Sequence, residues 1–247
     1  MDLGLGGVTA LVTGATRGIG LSIARALAAE GARVAVAART EADVRRVAAE
    51  VGGLPVAADL TTDDGCRAAM AAAGDVQVLV NNLGLRAGTG WTDTGVPEME
   101  RAMAGNLYPA LRLSLLALPA MRRAGWGRVV VVSSLFGREA GGAPAYNVAK
   151  AAEISFVTSL AREVAADGVT VNCVAPGSVL FEGGSWHRRQ QADPDGIAEF
   201  VRRELPLGRF GRPEEVASAV AFLCSRPASL VSGACLAVDG GQSRSNI

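Results

Sequence analysis

A tyrosine and a lysine at helical spacing are the residues of this chain best suited to chemistry. Tyr146 and Lys150 are four positions apart, so on a helix they share one face. A tyrosine ordinarily keeps its proton at neutral pH, and a nearby cation stabilises the phenolate form. The pair can therefore serve as a general acid or base towards a carbonyl or alcohol oxygen. The same spacing is also typical of an amphipathic helix surface with no catalytic role.

Two serines stand where a strand is predicted to end. Ser133 and Ser134 follow the apolar run Arg128–Val132. The carboxyl edge of a parallel sheet is where such proteins bind ligands, so a hydroxyl there can bond a substrate oxygen. A polar strand end without function would look the same.

A glycine-rich turn near the start of the chain could hold a phosphate. Gly14, Gly18 and Gly20 follow the first apolar run and lead directly into a helix-like segment. Glycines permit a tight turn and close backbone approach, and a helix N-terminus offers free N–H groups and a positive dipole. The Gly-x-x-x-Gly-x-Gly spacing differs from the commonest dinucleotide fingerprint, but its position after the first predicted strand favours a dinucleotide pyrophosphate over a simple chain reversal.

The end of the second predicted strand bears on which dinucleotide binds. An NAD-binding protein of this kind has an acid there for the ribose 2′-hydroxyl, whereas this chain has Arg39. Together with Arg17 it could hold a 2′-phosphate, since guanidinium groups bind phosphates well. We therefore predict NADP(H), although two solvated arginines would give the same pattern.

The elements that must position these residues alternate along the chain. Continuous apolar runs indicate strands covered on both faces, and their alternation with helical segments predicts a doubly wound fold. We expect an α/β, single-domain Rossmann-type parallel sheet with helices on both faces, spanning residues 1–247. The predicted strands are Val8–Val12, Arg33–Ala37, Leu54–Ala57, Val76–Val80, Arg128–Val132, Thr170–Val174 and Cys235–Val238. The predicted helices are Ile19–Glu30, Glu41–Val51, Thr62–Ala73, Met99–Ala124, Ala145–Ala166 and Pro213–Ser225.

One segment, about residues 178–212, lacks this alternation. A long excursion in a compact domain is usually a lid or a binding loop, although surface packing or a subunit contact would also explain it. It contains Arg188 and Arg189, which could recognise an acidic substrate or could be merely solvated.

Charge and composition exclude several classes of protein. The 24 Lys and Arg residues balance the 24 Asp and Glu residues, so no overall field attracts nucleic acid or an anionic membrane. The apolar stretch from Leu107 to Met121 is too short and too interrupted to span a bilayer. No signal-peptide pattern begins the chain, and we expect a cytoplasmic protein. Its four isolated cysteines indicate free thiols rather than a disulfide or metal site.

In order along the chain, these motifs resemble the short-chain dehydrogenase/reductase family over essentially the whole length. Besides the glycine-rich turn, the matching motifs are Asp59-Leu60, Asn81-Asn82-Leu83-Gly84, Pro176-Gly177 and Val238-Asp239-Gly240-Gly241. Within the family, residues 206–217 are most similar to the 3-oxoacyl-carrier-protein reductases.

The resemblance implies a catalytic tetrad. Tyr146 would be the acid and base, and Ser134 would orient the carbonyl. Lys150 would hold the nicotinamide ribose and assist Tyr146, and Asn106 would anchor a water. The cofactor contacts it implies are Gly14, Thr16, Arg17, Gly18, Ile19, Gly20, Arg39, Asp59, Leu60, Asn82, Gly84, Tyr146, Lys150, Pro176, Gly177 and Val179; no metal is implied.

Three departures from the family pattern affect these assignments. Leu83 replaces an alanine and adds bulk near the cofactor. The loop from Gly137 to Tyr146 is one residue short, which leaves Ser133 as an alternative to Ser134. Phe181 replaces a threonine that contacts the nicotinamide carboxamide, so contacts there would come mainly from backbone around Val179.

The function expected from the resemblance is NADP(H)-dependent reduction of a ketone to a secondary alcohol. A 3-oxoacyl thioester is one candidate substrate, and a small-molecule ketone is another. An NAD-linked alcohol dehydrogenase and a non-catalytic cofactor-binding regulator are the alternatives. The resemblance also implies a homo-oligomer, either a tetramer or a dimer.

Overall fold

Seven parallel strands form the centre of the protein, which we describe over residues 2–246 from a computed structural model. They lie in the order β3-β2-β1-β4-β5-β6-β7, and every neighbouring pair is parallel. The doubly wound parallel sheet expected from the sequence is confirmed. The strands are β1 Thr9–Thr13, β2 Arg33–Ala38, β3 Leu54–Ala57, β4 Val78–Asn81, β5 Gly127–Val132, β6 Val169–Pro176 and β7 Cys235–Val238.

Helices cover both faces of this sheet. They are α1 Gly18–Ala29, α2 Glu41–Val51, α3 Asp63–Ala73, α4 Val96–Gly105, α5 Leu107–Ala124, α6 Pro144–Val164, α7 Ser185–Ala192, α8 Pro194–Glu204 and α9 Pro213–Cys224. Helices α1, α2 and α9 contribute to the core on one face, and α3, α5 and α6 to the core on the other. Successive strand residues alternate between the two cores, as Val130 and Val131 do. This explains why the strands read as continuous apolar runs.

The single helix predicted over Met99–Ala124 is wrong. The structure has two helices there, α4 and α5, and the break falls at Asn106, whose backbone is non-helical (φ −126°, ψ −74°). The Asn106 amide donates to the carbonyl oxygens of Leu85 (2.8 Å) and Ala102 (2.6 Å), and its Oδ1 accepts from the Leu85 N–H. A side chain that binds nearby backbone in this way competes with the helix ladder.

The excursion from residue 178 to 212 consists largely of helices α7 and α8. Trp186, Phe200 and Phe210 pack together between them, with Trp186 and Phe200 ring centres 4.5 Å apart. A single parallel bridge joins Val179 to Gly211, so the two ends of the excursion lie side by side. Within residues 2–246, no helix combines the length and the apolar character needed to cross a membrane.

Candidate active site

The carboxyl ends of four central strands surround a cleft of about 320 Å³. Turns after β1 and β4, the end of β5, the first turns of α6 and the end of β6 all contribute to its walls. The cleft brings together these residues singled out from the sequence: Arg17, Ile19, Asn82, Gly84, Ser133, Ser134, Tyr146, Lys150, Pro176, Gly177, Val179 and Phe181.

Helix α6 places Tyr146 and Lys150 side by side in this cleft. Pro144 occupies the first turn of the helix, where its missing N–H costs nothing. The Lys150 Nζ lies 5.6 Å from the centre of the Tyr146 ring. It also donates to the Val132 carbonyl oxygen at 2.9 Å. The ammonium is thus tied to the end of β5 and held near the phenol.

Glu153 is a buried partner of Lys150 that the sequence analysis missed. Its two carboxylate oxygens lie 3.1 and 3.0 Å from Lys150 Nζ, and the two side chains are 1% and 2% exposed. Burial is the largest single effect and lowers the pKa of Lys150, but the Glu153 carboxylate, with a smaller contribution from Tyr146, raises that pKa above its ordinary value. Burial raises the pKa of Glu153 against the opposing effect of Lys150. An acid on an otherwise apolar helix face, three residues after Lys150, is the signal that could have revealed it.

The two adjacent serines have different surroundings. The Ser133 hydroxyl donates to the Lys150 carbonyl oxygen at 2.9 Å and also contacts the Glu153 carboxylate. The Ser134 oxygen accepts from the Phe136 N–H at 3.2 Å, which leaves its own proton available to donate. Both serines are buried and both line the cleft.

Gly84 lines the cleft next to Lys150, with Asn106 on its other side. Asn106 is buried and holds the backbone of Leu85, as described above, rather than lining the cleft. A Cβ atom at Gly84 would stand 3.6 Å from Asn106 Oδ1 and 3.8 Å from Lys150 Nζ. The glycine therefore keeps open the space between these two side chains.

The glycine-rich turn is bound tightly to the end of β4. Asn82 donates through its Nδ2 to the carbonyl oxygens of Thr13 (3.0 Å) and Gly14 (3.2 Å). The Thr13 hydroxyl accepts from the backbone N–H groups of Asn82 and Leu83. A Cβ at Gly20 would overlap both the Gly14 carbonyl oxygen and Asn82 Nδ2. This close approach requires glycine, as a turn that receives a pyrophosphate does.

Two exposed arginines flank the turn. Arg17 stands at the N-cap of α1 and makes no side-chain cap hydrogen bond, and Arg39 follows β2. Neither forms an ion pair with another residue in the range 2–246. A third guanidinium, missed from the sequence, belongs to Arg46, which donates to the carbonyl oxygen of Thr16, a member of the turn, at 3.4 Å.

Asp59 and the buried Leu60 follow β3 at the same sheet edge. Hydrogen bonds from the Thr61 hydroxyl and N–H, with a smaller contribution from Arg39, lower the pKa of Asp59. Asp59 therefore stays ionised beside Arg39.

The far wall of the cleft is formed after β6. The Gly177 N–H donates to Val238 of β7 at 3.2 Å, and Gln242 binds both the N–H (2.7 Å) and the hydroxyl (3.0 Å) of Ser178. The Phe181 ring lies against Gly18, where a Cβ would come within 2.7 Å of it. The aromatic ring thus packs on the glycine-rich turn.

Arg86 is a further residue of the cleft that the sequence analysis did not single out. Its guanidinium carbon stands 5.3 Å from the centre of the Tyr146 ring, on the loop after β4. Of the two arginines noted in the excursion, Arg188 lines the cleft and donates to the Gly183 carbonyl oxygen. Arg189 stacks on Trp186 instead.

Comparison with known proteins is consistent with this arrangement. Residues 14–243 match a family model described as Enoyl-(Acyl carrier protein) reductase. The 3-oxoacyl-acyl-carrier-protein reductase of Vibrio cholerae is 37% identical, with 97% of this chain and 98% of the relative covered. The D-beta-hydroxybutyrate dehydrogenase of Cupriavidus necator is 36% identical, with 96% and 98% covered.

Solved structures give the same result. The crystal structure of L-sorbose reductase from Gluconobacter frateurii, complexed with NADPH and L-sorbose, has a TM-score of 0.93 at 30% identity. It covers 99% of this chain and 100% of that chain. With the motifs in family order on one sheet edge and relatives matched almost end to end, the chain belongs to the short-chain dehydrogenase/reductase family of oxidoreductases.

Proposed function

We propose that this protein binds NADP(H) in the cleft and reduces a ketone to a secondary alcohol. One observation carries the proposal: Tyr146, Lys150 and two serines meet the glycine-rich turn in a single cleft. A protein that only bound a dinucleotide would need the turn but not a phenol beside a fixed ammonium, so this observation disfavours a regulatory role.

The residues of the turn fit the proposed cofactor. The close backbone packing at Gly20 leaves no room for a Cβ. The N-terminus of α1 has no side-chain cap, so its N–H groups can bind a pyrophosphate. Arg17 and Arg39 would bind the 2′-phosphate, which favours NADP(H) over NAD. Asp59 and Leu60 would contact the adenine, and Lys150 the nicotinamide ribose. When bound, the reduced nicotinamide supplies a hydride.

The protein side of the reaction is a proton transfer. Tyr146 would donate its phenolic proton to the carbonyl oxygen as that oxygen gains negative charge. Ser134, whose hydroxyl proton is free to donate, would bond the same oxygen and orient it. Lys150 would stabilise the phenolate that remains. Ser133, engaged with Lys150 and Glu153, would support the site from behind.

The names of the relatives suggest a range of substrates. They include a 3-oxoacyl thioester reductase, a hydroxybutyrate dehydrogenase and a sugar reductase. We propose a ketone substrate, either a small molecule or an acyl thioester, a cytoplasmic setting, and assembly as a homo-oligomer.

The proposal is tested by following consumption of NADPH and NADH with a panel of ketones and 3-oxoacyl thioesters. We expect turnover with NADPH in preference to NADH, and a fall of about 10²–10⁴-fold in kcat for Tyr146→Phe, because the proton donor is lost. The chain's only other tyrosine, Tyr108, is 40% exposed on α5, so Tyr108→Phe is a matched control. Full turnover in Tyr146→Phe would rule out this mechanism, and absence of turnover with every ketone would favour the non-catalytic alternative.

A further inference from the structure

Arg86 stands between the cleft and a second, adjoining cavity. The second cavity has a volume of about 840 Å³ and contains no residue of the glycine-rich turn. Arg86, Leu135, Phe136 and Trp186 line both spaces. The two spaces therefore adjoin at these four residues, and the second extends away from the proposed cofactor site.

The Arg86 guanidinium has no polar partner among residues 2–246. Its described contact is with the face of the Tyr146 ring, and it is exposed to solvent. A guanidinium presents five N–H donors in a planar fork that matches a carboxylate. Those donors face solvent and make no hydrogen bond within residues 2–246, beside the phenol that would protonate the substrate.

The charges around Arg86 favour an anionic ligand. No carboxylate lines the first cleft, whereas Arg17, Arg86, Lys150 and Arg188 do. Lys150 is neutralised by Glu153, Arg17 lies at the glycine-rich turn, and Arg188 donates to the Gly183 carbonyl oxygen. Arg86 lies over the Tyr146 ring, 5.3 Å from its centre. A cleft lined by one sign of charge attracts ligands of the other sign.

The acids of the second cavity already have partners. Glu139 accepts from the Ser243 hydroxyl (2.8 Å) and the Arg244 N–H (2.9 Å), and Glu204 pairs with Arg244 at 3.4 Å. Arg189, on the same wall, rests on Trp186. These acids are therefore not positioned to pair with Arg86 and occupy its donors.

We infer that the ketone substrate carries a carboxylate one or two carbons from its carbonyl, and that Arg86 binds this carboxylate. The inference rests on the proposed function. The Arg86 guanidinium lies over the ring of Tyr146, and that ring carries the hydroxyl that would protonate the carbonyl. An anion held by Arg86 must therefore be close to the carbonyl. Phe136 and Trp186 form an apolar wall for the remainder of the substrate.

The experiment compares oxo acids with their uncharged methyl esters. The probes are 3-oxobutanoate and 4-oxopentanoate, each with its methyl ester, and NADPH oxidation is the readout. The variants are Arg86→Gln, which removes the charge, and Arg86→Lys, which keeps it. Arg101→Gln, at an exposed position of α4 paired with Glu98, is the matched control.

We expect wild-type protein to prefer the acid in each pair. Arg86→Gln should raise KM for the acid about tenfold or more, as loss of a charge-assisted hydrogen bond implies, while the ester changes little. Arg86→Lys should retain part of the preference. Equal losses for acid and ester would mean that Arg86 acts only on Tyr146 and would overturn the inference, as would a wild-type preference for the esters.

A binding measurement separates this inference from the proposed function. 4-Oxopentanoate is titrated calorimetrically into the protein–NADP⁺ complex, which has no hydride to transfer, for wild type and for Arg86→Gln. Binding by wild type that is lost in the variant supports the carboxylate site even if no turnover is seen, in which case the proposed function alone fails. Absence of binding, or equal binding by both proteins, overturns the inference.

Discussion

Lys150 and Glu153 form an ion pair that is almost completely shielded from water. Removing one member of such a pair leaves the other charge buried and uncompensated, which is strongly unfavourable. The state of the proposed catalytic lysine therefore depends on a residue that does not line the cleft. Glu153 would act as a positioning residue, holding Lys150 charged and directed between Val132 and Tyr146.

We expect Glu153→Gln to change how activity depends on pH. In the wild type, Glu153 raises the pKa of Lys150, so the ammonium persists as the medium becomes alkaline. Without that carboxylate the effect of Glu153 is lost, while burial, the largest single effect, still opposes the charged form, so the lysine pKa falls. The alkaline limb of the kcat–pH profile should then move to lower pH. The measurement is this profile, together with NADPH affinity from fluorescence titration.

Glu163→Gln is the control for that variant, because Glu163 lies on the same helix with 73% of its side chain exposed. It should leave the profile unchanged. If Glu153→Gln melts normally and its alkaline limb coincides with that of the wild type, Glu153 has no part in holding the lysine charge.

Individual site residues differed in how far sequence alone could reveal them. Tyr146 and Lys150 stand at helical spacing, so a local pattern was enough to pair them. Arg86 is remote from Tyr146 in sequence, and only the packing of the loop after β4 brings them together. Spacing also left Ser133 as an alternative to Ser134, and the role proposed for Ser134 rests on hydrogen-bond partners that no spacing rule supplies.

The turn from β1 into α1 depends on the absence of a side chain at one buried position. Gly20 belongs to α1, where alanine would ordinarily be favoured by about 1 kcal/mol. A Cβ added at Gly20 would overlap the Gly14 carbonyl oxygen and Asn82 Nδ2. The Gly14 carbonyl belongs to the backbone, so it cannot move aside without distorting the turn.

We expect Gly20→Ala to destabilise the protein by about 1–3 kcal/mol, as overpacking does, and to weaken NADPH binding. Thermal denaturation and NADPH fluorescence measure the two effects. Gly6→Ala is the control, because a Cβ there meets nothing within 4 Å. A stabilised Gly20→Ala protein with normal NADPH affinity would show that helix propensity outweighs the predicted clash.

The sequence predicted the bounds of helices and strands correctly where a change in hydrophobicity marks the end of the element. The strand predicted at Leu54–Ala57 and the helix predicted at Glu41–Val51 have those bounds in the structure. The break at Asn106 was missed because it depends on Leu85, a residue outside the helix. Helices α7 and α8 were also missed. On α8, Ile197, Phe200 and Val201 recur at helical spacing and pack with Trp186 and Phe210 in a small cluster apart from the two sheet cores, but α7 is largely polar and has no buried residue.

The surface of the whole molecule carries exposed apolar side chains on its two longest helices. Tyr108 and Leu115 on α5, and Val148 on α6, are 40%, 53% and 43% exposed. Burial of such side chains between copies is a common basis for stable oligomers.

We expect wild-type protein to sediment as a dimer or tetramer and Leu115→Glu to form smaller species, because a buried charge would oppose the contact. Sedimentation velocity makes the measurement. Leu54→Glu is the control: Leu54 is 44% exposed but lies on β3 at the edge of the sheet. A monomeric wild type, or equal effects of the two substitutions, would contradict this expectation.

At this scale the residue pattern predicts the architecture, whereas a homo-oligomer is only what the family resemblance implies. The alternation of apolar runs and helical segments predicts the doubly wound sheet, because a strand buried on both faces is apolar at every position. The contacts expected between copies would involve side chains such as Leu115, which look like ordinary surface residues in the sequence.

The end of the chain has a practical bearing on how the protein is handled. Gln242 secures Ser178, while Ser243 and Arg244 are bonded to Glu139 on the wall of the second cavity. An affinity tag joined after these residues would lie next to the second cavity, which is proposed to receive substrate, and could disturb their contacts with Glu139. The opening residues, where Leu3 accepts from Arg226, precede β1 and so lie at the opposite edge of the sheet. Purification handles and immobilisation linkers therefore belong at the amino end.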